Sequence, residues 1–291
     1  MKFTAKKTDT LSKIIREHFP ESSGKKVKQM ITEGTIFVNG EVIKNPSTPV
    51  EEGTPLEYQK RGRAYKHTDF PFRILFEDEF LIAVEKPAGL VTVAKTGEEG
   101  TSLYREIKEY FQRQGDKVEL EVVHRLDYEV GGVLLLAKVA GVRELLHKDW
   151  QKVEKIYLAL TEKIPPQTEG EIDSWLVDGE DRIVRSYDTE VPGSKYAETI
   201  YEVINTRGKF GILEVKLGTG RKNQIRVHLA EIGCPIVGDR TYGFPIKVKR
   251  RIRLWAKRLS FQHPKTKRQV TIEAQEATDF YTPSPRNESY F

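Results

Sequence analysis

Cysteine is nearly missing from this chain of 291 residues, with Cys234 the only one. A lone thiol excludes a disulfide framework and a cysteine-rich zinc site. It fits a reducing compartment, and the cytoplasm is expected. Long apolar runs are absent too. None approaches the roughly 18 residues that cross a bilayer, so no membrane partner is expected. The first seven residues carry three lysines, but no apolar stretch follows them to make a signal peptide. His18, His67, His124, His147, His228 and His263 are scattered without any ligand spacing, so no metal is expected. A phosphate-binding Walker loop, a dinucleotide glycine fingerprint and a nucleophile-elbow serine are all lacking. That removes the commonest nucleotide-driven, redox and serine-hydrolase chemistries.

What is present is an ordinary globular balance, 38% hydrophobic and 31% charged. The length allows one large domain and one small one. Lys and Arg (48) exceed Asp and Glu (43), giving a net charge of +5 and a pI near 9.0. That excess permits a nucleic-acid partner without requiring one.

Residues 9–59 read as a compact unit. Thr10 is placed to cap a first helix with Leu11, Ile14 and Ile15 on one face. A second helix is expected through Lys25–Ile31, stopped by Gly34. Asn39-Gly40 between Thr35–Val38 and Glu41–Ile43 signals a hairpin, because both turn positions need positive φ. Residues 61–72 are polar and basic and look like a linker. The second unit is expected over 73–280, with 281–291 a tail.

In that second unit, Ile74–Phe76 and Phe80–Val84 read as strands. Ser102 is placed to cap a helix bearing Leu103, Ile107, Tyr110 and Phe111 and ending at Gly115. Val133–Ala137 is a continuous apolar run, as expected of a strand buried on both faces. Further strands are expected at Ile156–Thr161, Thr199–Ile204, Gly211–Leu217 and Gln269–Ala274, and helices at 140–151 and 223–232. Strands outnumber helices and do not alternate with them, so the fold class is α+β.

Three segments hold candidate chemistry. In His124-Arg125-Leu126-Asp127, a carboxylate follows a cation and precedes Gly131-Gly132 and a buried strand, which suits a rigid site. A surface ion pair in a turn is the plainer reading. In Gly218–Leu229 a glycine-containing turn meets a helix start, where backbone N–H groups and the dipole favour an anion. Arg221 and Lys222 sit at that turn. Ile225, Leu229 and Ile232 mark a core face, with Arg226 and His228 beside it. The third segment, Lys155-Ile156-Tyr157, places a tyrosine in a strand, where core packing is the commoner role.

Together these segments resemble the RluA-type family of pseudouridine synthases. The resemblance runs through Glu85-Lys86-Pro87-Ala88-Gly89-Leu90, the His124–Asp127 stretch closing at Ala137-Lys138, Lys155–Ala159, Thr219–Leu229, Gly233–Asp239 and Phe261–Pro264. Residues 9–59 separately resemble the alpha-L RNA-binding domain of a small-subunit ribosomal protein. The resemblance implies a catalytic domain on a mixed, mostly antiparallel sheet with flanking helices, preceded by a small α/β RNA-binding domain. It implies an RNA partner, ribosomal more than transfer RNA, with no cofactor; a monomer is the default expectation.

It assigns Asp127 as nucleophile, with Arg226 paired to it, and Tyr157 stacked on the target base near the proton that leaves C5. Arg125 would fill the space left by the flipped uridine, and Leu254 would wall the base. Lys25, Lys26, Lys28, Arg221 and Lys222 would meet phosphates. Four departures stand out: Val130 and Gly131 replace the family's Thr and Ser, Asn223 replaces His, and Trp255 stands where His is usual. They leave open a catalytically silent RNA-binding or ribosome-assembly factor. A glycosidase-like hydrolase would need a second acid near Asp127, and the neighbouring Glu129 shows no special environment in sequence.

Overall fold

The computed structural model describes residues 1–32, 35–58, 69–94, 101–181, 183–244, 251–277 and 280–281. The chain forms two compact units, Met1–Lys66 and His67–Phe291.

The first unit contains β1 (Lys2–Thr4), β2 (Asp9–Thr10), α1 (Leu11–His18), α2 (Gly24–Thr32), β3 (Ile36–Val38), β4 (Glu41–Val42), β5 (Pro49–Val50) and β6 (Pro55–Tyr58). The apolar faces expected of its helices are the buried ones: Leu11, Ile14 and Ile15 on α1, and Val27, Met30 and Ile31 on α2. They pack on Ile36, Val50 and Leu56 from the strands. The β3–β4 turn has φ of 51° at Asn39 and 86° at Gly40, the left-handed pair a tight hairpin demands. Thr10 does precede α1 in extended conformation, but its side chain makes no cap hydrogen bond. Its hydroxyl lies by Ser12 instead, 3.5 Å away. The expected stop at Gly34 lies outside the described residues.

The second unit follows as β7 (Ile74–Glu77), β8 (Leu81–Lys86), α3 (Leu103–Arg113), β9 (Glu121–Val122), β10 (Gly131–Ala137), α4 (Val142–His147), a 3₁₀ turn (Trp150–Lys152), β11 (Glu154–Thr161), β12 (Glu169–Asp178), β13 (Val184–Tyr187), β14 (Lys195–Arg207), β15 (Phe210–Leu217), α5 (Gln224–Glu231), β16 (Leu254–Gln262) and β17 (Gln269–Glu273). Eleven strands make one sheet, ordered β13-β12-β14-β15-β11-β16-β10-β8-β7, with β17 on β16 and β9 on β10. Every pairing is antiparallel except β10 with β16. The fold is α+β, and β10, third from the β7 edge, has every residue buried.

The helix expected at 140–151 is shorter. The 140–151 helix starts only at Val142, after Gly141 in left-handed conformation, and Asp149 breaks it into the 3₁₀ turn. Of the proposed linker, 61–68 lies outside the described residues, while Phe70 and Phe72 pack against the core of the second unit. Of the proposed tail, only Tyr281 is described, and its carbonyl accepts from Arg207 at 3.4 Å.

Candidate active site

The site is built on the loop between β9 and β10. Thr92, buried, grips Leu126 from both sides: its hydroxyl donates to the Leu126 carbonyl at 2.9 Å and accepts from the Leu126 N–H at 3.2 Å. Two residues on, the Tyr128 carbonyl accepts from the Gly89 N–H at 2.8 Å and lies 3.4 Å from the Lys86 ammonium. Asp127 is therefore held between two fixed neighbours, and its own carbonyl accepts from Val130 N–H at 3.1 Å. The chain then enters β10 through two glycines. At Gly132 φ is +117°, and an added Cβ would fall 2.1 Å from the Ala256 carbonyl oxygen. At Gly131 an added Cβ would meet the Trp255 ring at 2.4 Å.

Lys86 is fully buried at the end of β8. Its ammonium donates to the carbonyls of Pro87 at 2.9 Å and Leu90 at 2.6 Å. Burial lowers its pKa to about 8, against the attraction of Asp127. His124 is packed under the loop as a neutral ring, its pKa pushed down to about 4 by burial, and its Nε2 accepts from the Leu135 N–H at 3.1 Å.

A cavity of about 100 Å³ opens beside Asp127, and Arg125, Tyr157, Arg226 and Leu254 line it with that carboxylate. All five residues expected to be catalytic thus meet in one place, from four separate segments. Burial raises the Asp127 pKa, and Arg226, then Arg125 and Lys86, pull it back down. Tyr157 sits on β11, and burial with the nearby Asp127 charge pushes its phenol well above its ordinary pKa. It stays protonated at neutral pH. Arg125 is exposed at the rim.

One expected contact is not formed. Arg226 does not pair with Asp127; it makes a two-pronged ion pair with Asp239, Nε at 2.7 Å and Nη2 at 2.9 Å. Its Nη1 donates to Asn223 Oδ1 at 2.9 Å, its plane lies over Tyr242 at 5.2 Å, and Glu129 is 3.9 Å away. The Asp239 carboxylate also accepts the Thr241 and Tyr242 N–H groups at 2.9 and 3.0 Å. A fork-shaped guanidinium is satisfied better by this fixed bidentate acceptor than by one oxygen at the pocket wall. Arg226 acts on Asp127 through charge at longer range. Asn223 occupies a left-handed position, φ 55°, which asparagine tolerates well.

His228 also departs from expectation. It lies fully inside, not beside the core face, with Nδ1 at 2.9 Å from Thr199 and Nε2 at 3.0 Å from Ser174. The two cations expected at the glycine turn are partly engaged: Arg221 Nε donates to the Tyr196 carbonyl at 2.9 Å, and Lys222 pairs with Asp178 at 2.5 Å. Lys25, Lys26 and Lys28 are exposed on α2 in the first unit.

Similarity to known proteins shows the family. The family profile described as RNA pseudouridylate synthase matches residues 80–231, more than half of the chain. The chain belongs to the RNA pseudouridylate synthase family. It is an isomerase acting on uridines in RNA. An S4 domain matches residues 10–56. An uncharacterised RNA pseudouridine synthase of Aquifex aeolicus is 34% identical over 250 residues, covering 81% of this chain and 77% of that protein. Ribosomal large subunit pseudouridine synthase D of Vibrio cholerae is 28% identical over 283 residues, covering 91% and 86%. Among solved structures, human RNA pseudouridylate synthase domain containing 4 superposes with a TM-score of 0.60 at 23% identity, covering 72% of this synthase and 90% of that chain, a likeness of fold.

Several residues that shape the synthase site carried no role in the sequence reading. Lys86 and Asp239 lay inside motifs already singled out, so a signal existed. Thr92 lay in no motif, and its grip on Leu126 spans 34 positions, beyond any local pattern.

Proposed function

We propose that this synthase isomerises uridines in ribosomal RNA, with Asp127 as the nucleophile. The observation that carries the reading is the convergence of Asp127, Tyr157, Arg226, Arg125 and Leu254 on one cavity. At about 100 Å³ it is far below the roughly 300–1,000 Å³ that encloses a whole ligand. It suits a single flat ring brought in from outside, as a flipped base would be.

The reaction breaks the bond from N1 to the sugar C1′ and forms a bond from C5 to C1′. The proton leaves C5, and N1 gains one, so nothing is oxidised or reduced. Asp127 adds to the target nucleotide through its carboxylate and is released when the carbon–carbon bond closes. Arg226, braced by Asp239 and Asn223, supplies the positive field that keeps the carboxylate ionised. Tyr157 stacks on the base as a protonated phenol. Protonated, it offers no phenolate to take the C5 proton. Arg125 at the rim enters the gap left in the RNA stack, and Leu254 walls the base.

The ribosomal target rests on the Vibrio cholerae relative, whose name specifies the large ribosomal subunit, and on the S4 domain. Helix α2 carries Lys25 and Lys26 in its first turn, after Gly24, and has no acidic residue there. Lysines there oppose the helix dipole, so they suit a phosphate more than they suit the helix. Mapping pseudouridines in total RNA from cells lacking the gene, by carbodiimide adducts read as reverse-transcription stops, tests the target. Ribosomal sites should vanish and return with wild type but not with Asp127→Ala. Sites lost only from transfer RNA, or return with Asp127→Ala, would overturn the proposal.

A further inference from the structure

Opposite the Asp127 loop, the cavity wall is made by Gly220, Arg221 and Gln224. The 218–221 segment has no regular structure of its own and must be held by side chains. Gln224, the first residue of α5, is 2% exposed. Its Oε1 accepts the Thr219 hydroxyl at 2.8 Å and the Arg221 N–H at 2.9 Å. Its Nε2 donates to the Glu198 carbonyl at 2.7 Å and to Thr199 Oγ1 at 2.9 Å. An N–H can only donate and a carbonyl can only accept, so the Arg221 and Glu198 contacts fix which way the amide faces. One side chain satisfies all four of its hydrogen bonds and ties the loop to β14.

The ties extend inward. Thr199 accepts from Gln224, and its hydroxyl also lies 2.9 Å from His228 Nδ1. His228 Nε2 faces Ser174 Oγ at 3.0 Å, and Ser174 in turn accepts from Ser186 at 2.7 Å. Outward, the consequence falls on Arg221. Its N–H is used by Gln224 and its Nε by the Tyr196 carbonyl, which leaves the two terminal nitrogens of an exposed guanidinium pointing from a fixed base. Arg221 cannot serve as a loose surface cation while these two contacts hold.

We infer that Gln224 is a positioning residue that aims Arg221 at an RNA phosphate beside the flipped nucleotide. The inference rests on the pocket being the RNA site proposed above. Binding needs no turnover, so it is tested separately from the uridine target. The full chain is titrated with unmodified large-subunit ribosomal RNA transcribed in vitro, across a salt series, by filter binding. Arg221→Ala should weaken binding about three- to tenfold and reduce the log–log salt slope by about one, the signature of one lost phosphate contact. Gln224→Ala should do the same. The double variant should be no weaker than the weaker single one, because both remove the same contact.

Thr219→Val breaks one arm of the tie without emptying a buried site and should fall between, while Thr219→Ser should match wild type. A general loss of fold would lower the active fraction and leave the salt slope alone. Wild-type affinity in Gln224→Ala, or effects that multiply in the double variant, would overturn the inference. So would an Arg221→Ala protein with an unchanged slope. Tritium release from [5-³H]uridine in the same RNA reports on the target alone.

Discussion

Asp127 is a carboxylate that the fold disfavours and the neighbours rescue. Burial raises its pKa above the ordinary 3.8, while Arg226 is the largest of the opposing influences. Two outcomes follow from the sign. Catalysis by the carboxylate should switch on as pH rises through the raised value, so the acid limb of kcat/KM should sit above 3.8. Arg226→Met should move that limb higher still; a limb that stays put would mean that Arg226 does not set the charge of Asp127. For stability the direction reverses. A raised acid pKa means the folded chain holds its proton longer than the unfolded one, so wild type loses stability as pH climbs through that window. Asp127→Asn removes the penalty. It should melt higher than wild type at pH 7, converge with it below about pH 3.8, and lose turnover by about a thousandfold or more. The Arg226–Asp239 ion pair is buried, with no exposed surface on the Asp239 side chain and only 8% on that of Arg226. Asp239→Ala strands a buried cation and should cost about 3–5 kcal/mol in chemical denaturation. A cost under about 1 kcal/mol would show that Glu129 and Asp127 replace it.

At the scale of elements, the departures from the family pattern turn out to be neighbours. Gly131 and Trp255 are register partners in the one parallel pairing, β10 with β16. The Trp255 ring occupies the space a Cβ at Gly131 would need, and its Nε1 donates to the Ala274 carbonyl at 3.3 Å. The small residue and the large ring complement each other in volume across one strand pair. Gly131→Ser should therefore cost about 1–3 kcal/mol by overpacking. Adding Trp255→His should recover at least about 1 kcal/mol of that loss in a double-mutant cycle, and additive costs would dismiss the coupling. Val130 has a similar logic: it is buried in the main apolar cluster, where a hydroxyl would want a partner. None of this was visible along the chain, since Gly131 and Trp255 are 124 positions apart. Local patterns were legible where one rule dominates. Ser102 accepts from the Arg105 N–H at 3.3 Å, and the four apolar residues assigned to α3 are its buried ones. Strands β12 and β13 escaped because they pair Ser174 with His228 and Ser186 with Ser174 rather than filling an apolar core, which breaks the alternation. Strand β16 escaped because Lys257 and Arg258 interrupt its apolar residues and its register shifts against β11.

For the whole molecule, a net charge of +5 is modest for an RNA enzyme, so where the cations stand matters more than how many there are. Many basic side chains in the second unit are already engaged, as with Lys138 on Glu77 at 2.5 Å and Arg226 on Asp239. On α2, by contrast, Lys25, Lys26 and Lys28 are exposed and make no ion pair among the described residues. Surface cations without carboxylate partners add little to folding, and their loss should leave stability within about 0.5 kcal/mol. They can add much to RNA affinity, because each phosphate neutralised releases counterions. Changing both Lys25 and Lys26 to Ala should leave the melting temperature and kcat near wild type, raise KM for structured RNA, and lower the salt slope by about two. That pattern would assign the two units different roles. A slope change without a kcat change belongs to an RNA-gripping surface, and a kcat change at constant slope belongs to the Asp127 pocket. If instead the double change left KM and slope untouched, the S4 domain would contact RNA by another face or not at all. If kcat fell with them, grip and chemistry would be linked, because only RNA seated on α2 could deliver its uridine to Asp127.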